Sequence, residues 1–567
     1  MEWIFQTPDP RVVRDLKHAF QCQEILAKVM ANRDLHSREQ AEAFFRPSLQ
    51  HLHDPFLLPD MEKAVDRIRS NRSEGTPILV FGDYDVDGTT GAALLTQSLR
   101  HLGYRVEVEV PDRERDGYGL SYRGIEHARE KGADLIITCD CGINAFDQVD
   151  YARKVGLDVI ITDHHTPDRD LPRATAILNP KLNGGSYPFQ GLCGGGVAFK
   201  LVQALAEREA HPWEELPNLL ELATLGTAAD MVPILEENRI LVFHGLKRLL
   251  ETRHPGLRAL LQSANLENRD LSVGNLVFSI APRINAAGRM GDANRAVHLL
   301  LSTNPQEAAD LAHALSQENT RRQSIQQTMV EEALRMVNAE IDLSHDRAIV
   351  LGHSDWSPGV IGIVASRIKE QFHRPTIIIA FDDQGKGKGS ARSITGLDLY
   401  ETLSECQEHL EGFGGHPMAA GCTLRRENFT AFRRAFTERC NQKLTQADLT
   451  PRLILEGEVQ LSDIDQRFMR FLELMAPYGP GNMRPKFAAR GLEVVGNPRL
   501  VGNGDHLKFA VKQNGRVLDA IGFNLGEQYE KLITGWPVDL AFVVETNTWQ
   551  GQSRIQLNVR DIQLHRS

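Results

Sequence analysis

The chain lacks several features that would place it outside a reducing, aqueous setting. Its seven cysteines are an odd number with no C-x-x-C pair, which excludes a disulfide framework and a thiolate-spaced metal site. No long hydrophobic run is present. The longest, such as Leu135–Thr138 and Thr376–Phe381, are strand-sized and far short of the ~20 residues of a membrane span. The opening Met-Glu-Trp-Ile-Phe-Gln-Thr-Pro-Asp-Pro has neither a basic nor an apolar region of a secretion signal. An excess of positive charge is also missing: 64 Lys and Arg stand against 75 Asp and Glu, a net charge of −11. This excludes a general polycation, so any phosphate-binding surface must be a local basic groove. The expectation is a soluble, cytoplasmic protein with no membrane association.

What is present is ample. At 567 residues the chain is long enough for three to four domains of ~150 residues. Hydrophobic residues make up 41% and charged residues 25%, within the globular range and against wholesale disorder. From Pro451 onward 14 Lys/Arg meet 13 Asp/Glu, which leaves 50 against 62 in the first 450 residues. The acid therefore lies in the part of the chain where a metal site is expected.

Up to about Gly75 the pattern is of short helices and loops. From Thr76 strands alternate with helices: Ile78–Phe81, Arg105–Val110, Asp134–Thr138 and Leu157–Thr162 are separated by helix-like stretches. That alternation predicts βαβ units and a parallel sheet. The run Gly132-Ala-Asp-Leu-Ile-Ile-Thr returns as Gly156-Leu-Asp-Val-Ile-Ile-Thr, a register that superimposes Asp140 on His164. Asn304-Pro305 with Glu307 predicts a helix start, and the apolar stripe from Leu311 to Ile341 extends it to ~37 residues and ~55 Å, long enough to bridge two domains. Arg321-Arg322 at its middle reads as a solvated face. A second α/β segment runs from Arg347 to about Leu444. The C-terminal ~100 residues read as an all-β module of OB-fold size, with a hairpin at Asn514-Gly515.

The strongest chemical feature is Asp83-Tyr-Asp85-Val-Asp87-Gly88, directly after a strand. Three closely spaced carboxylates repel one another unless a cation lies between them, although an exposed acidic turn has the same composition. An EF-hand is excluded, since no glutamate stands at the twelfth loop position. Asp140 and Asp163-His164-His165 follow the next strands, and in a parallel sheet the C-terminal strand ends share one edge. Asp230 is a candidate fourth contributor. Carboxylates with imidazole and no thiolate spacing suit Mn²⁺ or Mg²⁺ better than structural zinc. Cys139 and Cys141 flank Asp140 but alternate away from it, as core fillers. Arg113, Arg283 and Arg289 lie in neutral, turn-rich stretches and read either as phosphate contacts or as surface arginines. Lys386-Gly-Lys-Gly-Ser390-Ala-Arg392 is a basic, glycine-spaced loop on composition alone. Phe509, Phe523, Phe542 and Trp549 are candidates for base stacking or for barrel core.

These residues, in this order, resemble the motif series of the DHH phosphoesterase superfamily. The series includes Asp83-Tyr-Asp-Val-Asp-Gly88, Pro111–Leu120, Asp140, Asp163-His-His165, Asp230 and Pro282-Arg-Ile-Asn-Ala-Ala-Gly-Arg289. Trp356–Gly362, Gly414-Gly-His-Pro-Met-Ala-Ala-Gly421 and Pro477–Asn482 complete it. Within the superfamily the likeness is to the bacterial single-strand-specific 5′→3′ exonucleases, from about residue 50 to the end. The resemblance implies two cations, Mn²⁺ or Mg²⁺, sharing Asp140. Asp83 and Asp85 would complete one site, and Asp87, His164 and Asp230 the other. It implies catalytic roles for Asp140, His165, Asp163 and Arg283. It further implies phosphate binding by Arg113, Arg283, Arg289, Gly414, Gly415 and His416, with Ser390 and Arg392 in a pocket for the 5′-phosphate. Single-stranded DNA would be the substrate, and a single-strand-binding protein and a RecQ-type helicase the partners.

The expected architecture is α/β and multidomain. An N-terminal segment (1–75) precedes a DHH parallel-sheet domain (76–300), a long bridging helix (301–345), a second, DHHA1-like α/β domain (346–449) and an OB-like β-barrel (450–567). Intact acidic and histidine ligands oppose a scaffold that has lost its activity. The C-terminal module opposes a small-substrate phosphodiesterase or pyrophosphatase.

Overall fold

The computed structural model describes all residues except 113, 114, 169, 183, 186, 291, 550, 551 and 567, and only the backbone of Met290 and Trp549. Arg113 therefore lies outside the described residues, as does the Trp549 side chain. The chain forms two compact units. One holds residues 3–288, 292–313 and 454–567; the other holds 314–453 with residues 1–2 and 289–291. Among the described residues no helix is long and apolar enough to cross a membrane.

The larger unit opens with helices α1 (Pro10–Phe20), α2 (Glu24–Ala31) and α3 (Arg38–Phe45). A parallel sheet follows: β1 (Ile78–Gly82), β2 (Val106–Glu109), β3 (Leu135–Cys139), β4 (Asp158–Thr162) and β5 (Ala176–Leu178), in the order β2-β1-β3-β4-β5. Strands β1 and β3 are buried along their whole length, which is why they read as unbroken apolar runs. Helices α4 (Val86–His101), α5 (Gly194–Arg208), α6 (Leu219–Ala229) and α7 (Glu236–Leu250) pack with one another beside it. Strand β5, with three residues, is too short to leave a sequence signal. In the sheet Cys139 pairs with Thr162, so the position beside Asp140 is Asp163, one residue from the register of the sequence echo.

Helix α8 (Pro305–Glu340) has 36 residues and spans ~54 Å. Asn304 caps it, its Oδ1 accepting from the amides of Gln306 and Glu307 at 2.9 and 3.4 Å. It starts in the larger unit and continues in the smaller. Arg322 does not lie on a solvated face. It is buried, and its guanidinium donates to Asn319 and Gln326 along the same helix.

The smaller unit holds β6 (Ile349–His353), β7 (Thr376–Phe381), β8 (Lys386–Arg392), β9 (Gly412–His416) and β10 (Ala419–Arg425), in the order β9-β10-β8-β7-β6, with helix α9 (Ile361–Phe372) packed on β7 and β8. Lys386–Arg392 is a strand rather than a flexible loop. Paired on both sides, it needs glycine at its inward positions: a Cβ on Gly387 would sit 2.7 Å from Phe381, and one on Gly389 2.5 Å from Cys422 Sγ. Lys386, Lys388, Ser390 and Arg392 then share the other face by the two-residue repeat.

The C-terminal strands β11 (Lys486–Val501), β12 (His506–Gln513), β13 (Arg516–Gly522), β14 (Val538–Trp549) and β15 (Gln552–Leu564) run in the order β11-β12-β13-β15-β14. Strand β14 pairs back onto β11 to close a five-stranded barrel. Asn514 and Gly515 turn the β12–β13 hairpin with φ of 50° and 81°. Phe509 and Phe542 are barrel core, whereas Phe523 is exposed against His506.

The N-terminal helices are not free-standing. Val13, Leu16, Met30 and Phe44 belong to the same apolar cluster as Phe468, Phe487, Val511 and Phe542 of the barrel region. Arg239 of α7 ties this assembly to the parallel-sheet region. Its guanidinium donates to the carbonyls of Phe44, Leu474, Met475, Ala476 and Pro477, capping α10 (Gln466–Leu474), and lies 3.8 Å over the Phe44 ring. Arg239→Met should strand these carbonyls and cost about 2–4 kcal/mol. Urea unfolding of the two proteins measures it, and a loss under 1 kcal/mol would show that water replaces the clamp.

Candidate metal centre

Each ligand candidate is delivered by the end of a regular element. Asp83 follows β1. Asp85 caps α4, accepting from the Gly88 amide at 3.0 Å, and Asp87 lies in the first turn of the same helix. Asp140 follows β3, Asp163 follows β4, and Asp230 closes α6. The C-terminal edge of the parallel sheet thereby gathers the acid. Three groups have ligand atoms within 4.8 Å of one another: Asp83, Asp85 and Asp140; Asp87, His164 and Asp230; and Asp140, His164 and His165. Asp140 belongs to two of them. His164 Nε2 stands 3.1 Å from Asp140 and 3.6 Å from Asp230.

The surrounding backbone is shaped to these side chains. Both Asp87 oxygens accept amides from the first turn of α5, Gly194 at 2.6 Å and Gly195 at 3.0 Å. Side chains could not occupy that turn: a Cβ on Gly194 would lie 2.4 Å from the Asp140 Cβ, and one on Gly195 2.9 Å from Asp87 Oδ1. Gly226 of α6 is under the same constraint, with 2.4 Å to Asp87. Asp140 itself adopts φ of 62°, a left-handed conformation that non-glycine residues take at a cost. The Tyr118 hydroxyl donates to the Asp140 carbonyl at 3.0 Å and approaches His165 Nδ1 at 3.3 Å.

Asp163 does not share in these groups. Its carboxylate accepts the amides of Ile143, His164 and His165 and the Nδ1 of His165 at 2.8 Å, so it fixes the turn and orients the imidazole. Burial alone would raise Asp163, but the His165 hydrogen bond and charge outweigh it and hold the carboxyl below its usual range. For His165 burial would lower the imidazole, and Asp163 outweighs that to raise it.

The cluster carries the electrostatic mark of a cation site. Oδ1 of Asp83, Oδ1 of Asp140, Oδ2 of Asp230 and both nitrogens of His164 are buried without a hydrogen-bond partner. Burial, then the Asp85 charge, pushes Asp83 up to about 8. Burial with the charges of Asp87 and Asp85 takes Asp230 to about 8 as well. Asp87 is raised by burial, and Asp140 is raised well above the carboxylate range by burial and then by Asp87 and Asp85. Burial pushes His164 down to about 4, leaving a neutral imidazole free to ligate. Oxygen ligands with one imidazole fit Mn²⁺ or Mg²⁺.

The remaining candidates are placed as follows. Arg283 donates to the carbonyls of Ser279 and Ser263. In the smaller unit Arg289 donates to the Gly359 carbonyl at 3.1 Å. There too, Arg392 bonds Ser390 Oγ at 3.1 Å, beside Gly362 in the first turn of α9. Gly414, Gly415 and His416 form the exposed edge strand β9, and nothing lies within 4 Å of a Cβ built on Gly414. Gly194, Gly195 and Gly226 were not singled out from sequence. The run Gly194-Gly195-Gly196 opening an apolar helix is the signal that marks the first two.

Family models match three stretches: the DHH family N-terminal domain over residues 77–227, the DHHA1 domain over 345–442 and the RecJ OB domain over 455–561. Together with the acidic and histidine cluster they define a DHH-family protein with a DHHA1 domain and a C-terminal OB barrel. The chain is 37% identical over 564 residues to the single-stranded-DNA-specific exonuclease RecJ of Bacillus subtilis, covering 99% of this chain and 70% of that one. It is 36% identical to the Escherichia coli protein of the same name, with 95% of each covered. The crystal structure of Thermus thermophilus RecJ in complex with Mn²⁺ matches with a TM-score of 0.84 at 30% identity, covering 100% of this chain and 80% of that one. The chain belongs to the RecJ family.

Metal removal has a signed consequence. Asp83 and Asp230 have folded-state pKa values near 8, above the ordinary carboxylate value, so proton binding stabilises the metal-free fold fully below pH 4. That contribution disappears as pH rises through 8. A cation displaces these protons, so the rise in Tm from EDTA to Mn²⁺ should grow between pH 5 and 8. Thermal scans at three pH values measure it; a flat or shrinking increment would refute the cation site.

Proposed function

We propose that this chain hydrolyses single-stranded DNA from the 5′ end to 5′-mononucleotides, in the cytoplasm, as part of DNA repair and recombination. The observation that carries the reading is the chain of three ligand groups, in which Asp140 belongs to two and His164 to two. Asp83, Asp85 and Asp140 would hold one divalent cation, and Asp87, His164 and Asp230 with Asp140 the second. Bound there, Mn²⁺ or Mg²⁺ would supply charge neutralisation at the phosphodiester oxygens, a more acidic water and stabilisation of the leaving 3′ oxygen. Thermus thermophilus RecJ has been solved in complex with Mn²⁺ and, in a separate structure, with Mg²⁺.

The chain's own groups do the rest. Gly194 and Gly195 amides hold Asp87, Tyr118 holds the Asp140 turn, and Asp163 aims His165 at the scissile phosphate. Arg113, Arg283 and Arg289 contact backbone phosphates, and Gly414, Gly415 and His416 let a phosphate approach the β9 backbone. The closed OB barrel favours a polymeric substrate over a dinucleotide or pyrophosphate. A single-strand-binding protein and a RecQ-type helicase are the partners the family resemblance implies.

Digestion of end-labelled single-stranded and duplex DNA with Mn²⁺, Mg²⁺ or EDTA tests the reading. Mononucleotides should be released from the 5′ end of single strands only, and only with metal. Asp140→Ala should lose more than ~1000-fold, about 4 kcal/mol of transition-state stabilisation. Activity within tenfold of wild type would remove Asp140 from its shared role.

Ser390 and Arg392 bear on the 5′ end itself. The hydroxyl and guanidinium lie together beside the opening turn of α9, which suits a terminal monoester carrying nearly two charges. Arg392→Ala should cost about 1.5–3 kcal/mol in kcat/KM on a 5′-phosphorylated strand and much less on a 5′-hydroxyl strand. Equal slowing of both would move the pocket elsewhere.

A further inference from the structure

Three chain segments of the larger unit meet at Gly479, and each exposes one large apolar side chain within five residues of its contact there. A Cβ on Gly479 would lie 2.5 Å from Ile234 and 3.5 Å from Val273. The Ile234 amide donates to the Pro480 carbonyl at 2.7 Å, and Arg33 holds the Met483 carbonyl at 2.8 Å. Segments 231–234, 273–280 and 479–483 are therefore one packed junction. From it Met231 is 56% exposed, Phe278 80% and Met483 59%. A single exposed apolar residue needs no explanation, but three on adjoining segments do. Met231 directly follows Asp230, so the group begins at the metal centre.

Phe278 is held out by the backbone. Leu276–Ile280 is a π-helical turn, with the Ala281 amide donating to the Leu276 carbonyl five residues back. Pro282 has no amide with which to continue an α-helical ladder. Leu276 and Ile280, each 1% exposed, fill the inner side of the turn against α6, and Phe278 points the other way. Arg283 pins the turn through the Ser279 carbonyl. An aromatic ring held in water on a π-helical turn is a preformed contact surface. Arg484, next to Met483, lies 5.0 Å over the Tyr478 ring and brings positive charge to the same place.

We propose that Phe278, with Met231 and Met483 exposed on the adjoining segments, is a stacking platform for unpaired bases of the strand that leads away from the scissile phosphate. The proposal rests on the reading of the chain as a single-strand nuclease. Flat apolar faces with adjacent arginine match single-stranded nucleic acid, whose bases offer π-faces and whose backbone is anionic.

The test measures equilibrium binding in EDTA of a 5′-phosphorylated oligodeoxythymidylate of about 12 nucleotides, and of the same backbone with abasic residues beyond the second nucleotide. The unsubstituted protein should bind the abasic strand roughly tenfold more weakly. Phe278→Ala should bind both strands alike, at the abasic level, and Phe278→Trp should restore the difference. The ring is exposed, so the substitutions leave the core intact. A wild-type abasic ratio retained in Phe278→Ala overturns the platform and marks the patch as a protein contact. Absence of discrimination by the wild-type protein overturns it as well. Turnover of the base-bearing strand with Mn²⁺, measured in parallel, separates the two readings. Degradation with an unchanged ratio in the variant refutes the platform alone, whereas no degradation refutes the nuclease reading on which it rests.

Discussion

Mutual repulsion among buried carboxylates is the constraint around which the larger unit is arranged. Asp83, Asp85 and Asp140 offer oxygens within 4.8 Å of one another. At such a separation each ionised pair costs ~3–4 kcal/mol even at an effective dielectric of 20. The isolated chain relieves this with protons, which is the meaning of the raised pKa values of Asp83, Asp140 and Asp230. A divalent cation relieves it better. The amides of Gly194 and Gly195 relieve it at Asp87 alone, where the opening turn of α5 supplies fixed positive dipole. Crowding follows from the same need: acids can be brought this close only if Gly194, Gly195 and Gly226 carry no side chains and Asp140 accepts a left-handed backbone.

The residues of the cluster were legible in the sequence because strand ends deliver them. Apolar runs mark β1, β3 and β4, and in a parallel sheet whatever follows those runs shares an edge. The cradle was not legible, since Gly194 and Gly195 lie more than a hundred residues from Asp87 and reach it only through packing. Lys386–Arg392 misled for a related reason. Its glycines suggest a loop, but in a sheet they mark where Phe381 and Cys422 already fill the space. Arg322 misled because charge on a helix reads as exposure until its partners, Asn319 and Gln326, are seen on the same face.

Distance along the chain also hid the relation between the two ends. The first helices read only as short helices in an N-terminal segment, yet Val13, Leu16 and Phe44 share a core with Phe487 and Phe542. Nothing local in residues 10–45 announces a partner more than four hundred residues away. Arg239 then joins that composite body to α7 through five carbonyls, most of them at the C-terminal end of α10. A flexible tether would let the barrel swing; a buried guanidinium saturated with backbone acceptors does not. The barrel is thus fixed relative to Asp230, which precedes α7 by only six residues.

A fixed barrel and a fixed metal cluster impose a demand on the substrate. An exonuclease must accept each base in turn at the same position, so every contact along its path has to ignore base identity. Amide and arginine contacts to phosphate do so, because the backbone repeats. Stacking does so as well, because every base presents a π-face. Hydrogen bonding to base edges would not, and would stall the enzyme at particular sequences. The large apolar groups exposed on the segments of the Gly479 junction are one ring and two thioethers. Such groups would suit sequence-blind passage of a single strand, and they lie in the same packed unit that holds the acidic and histidine cluster.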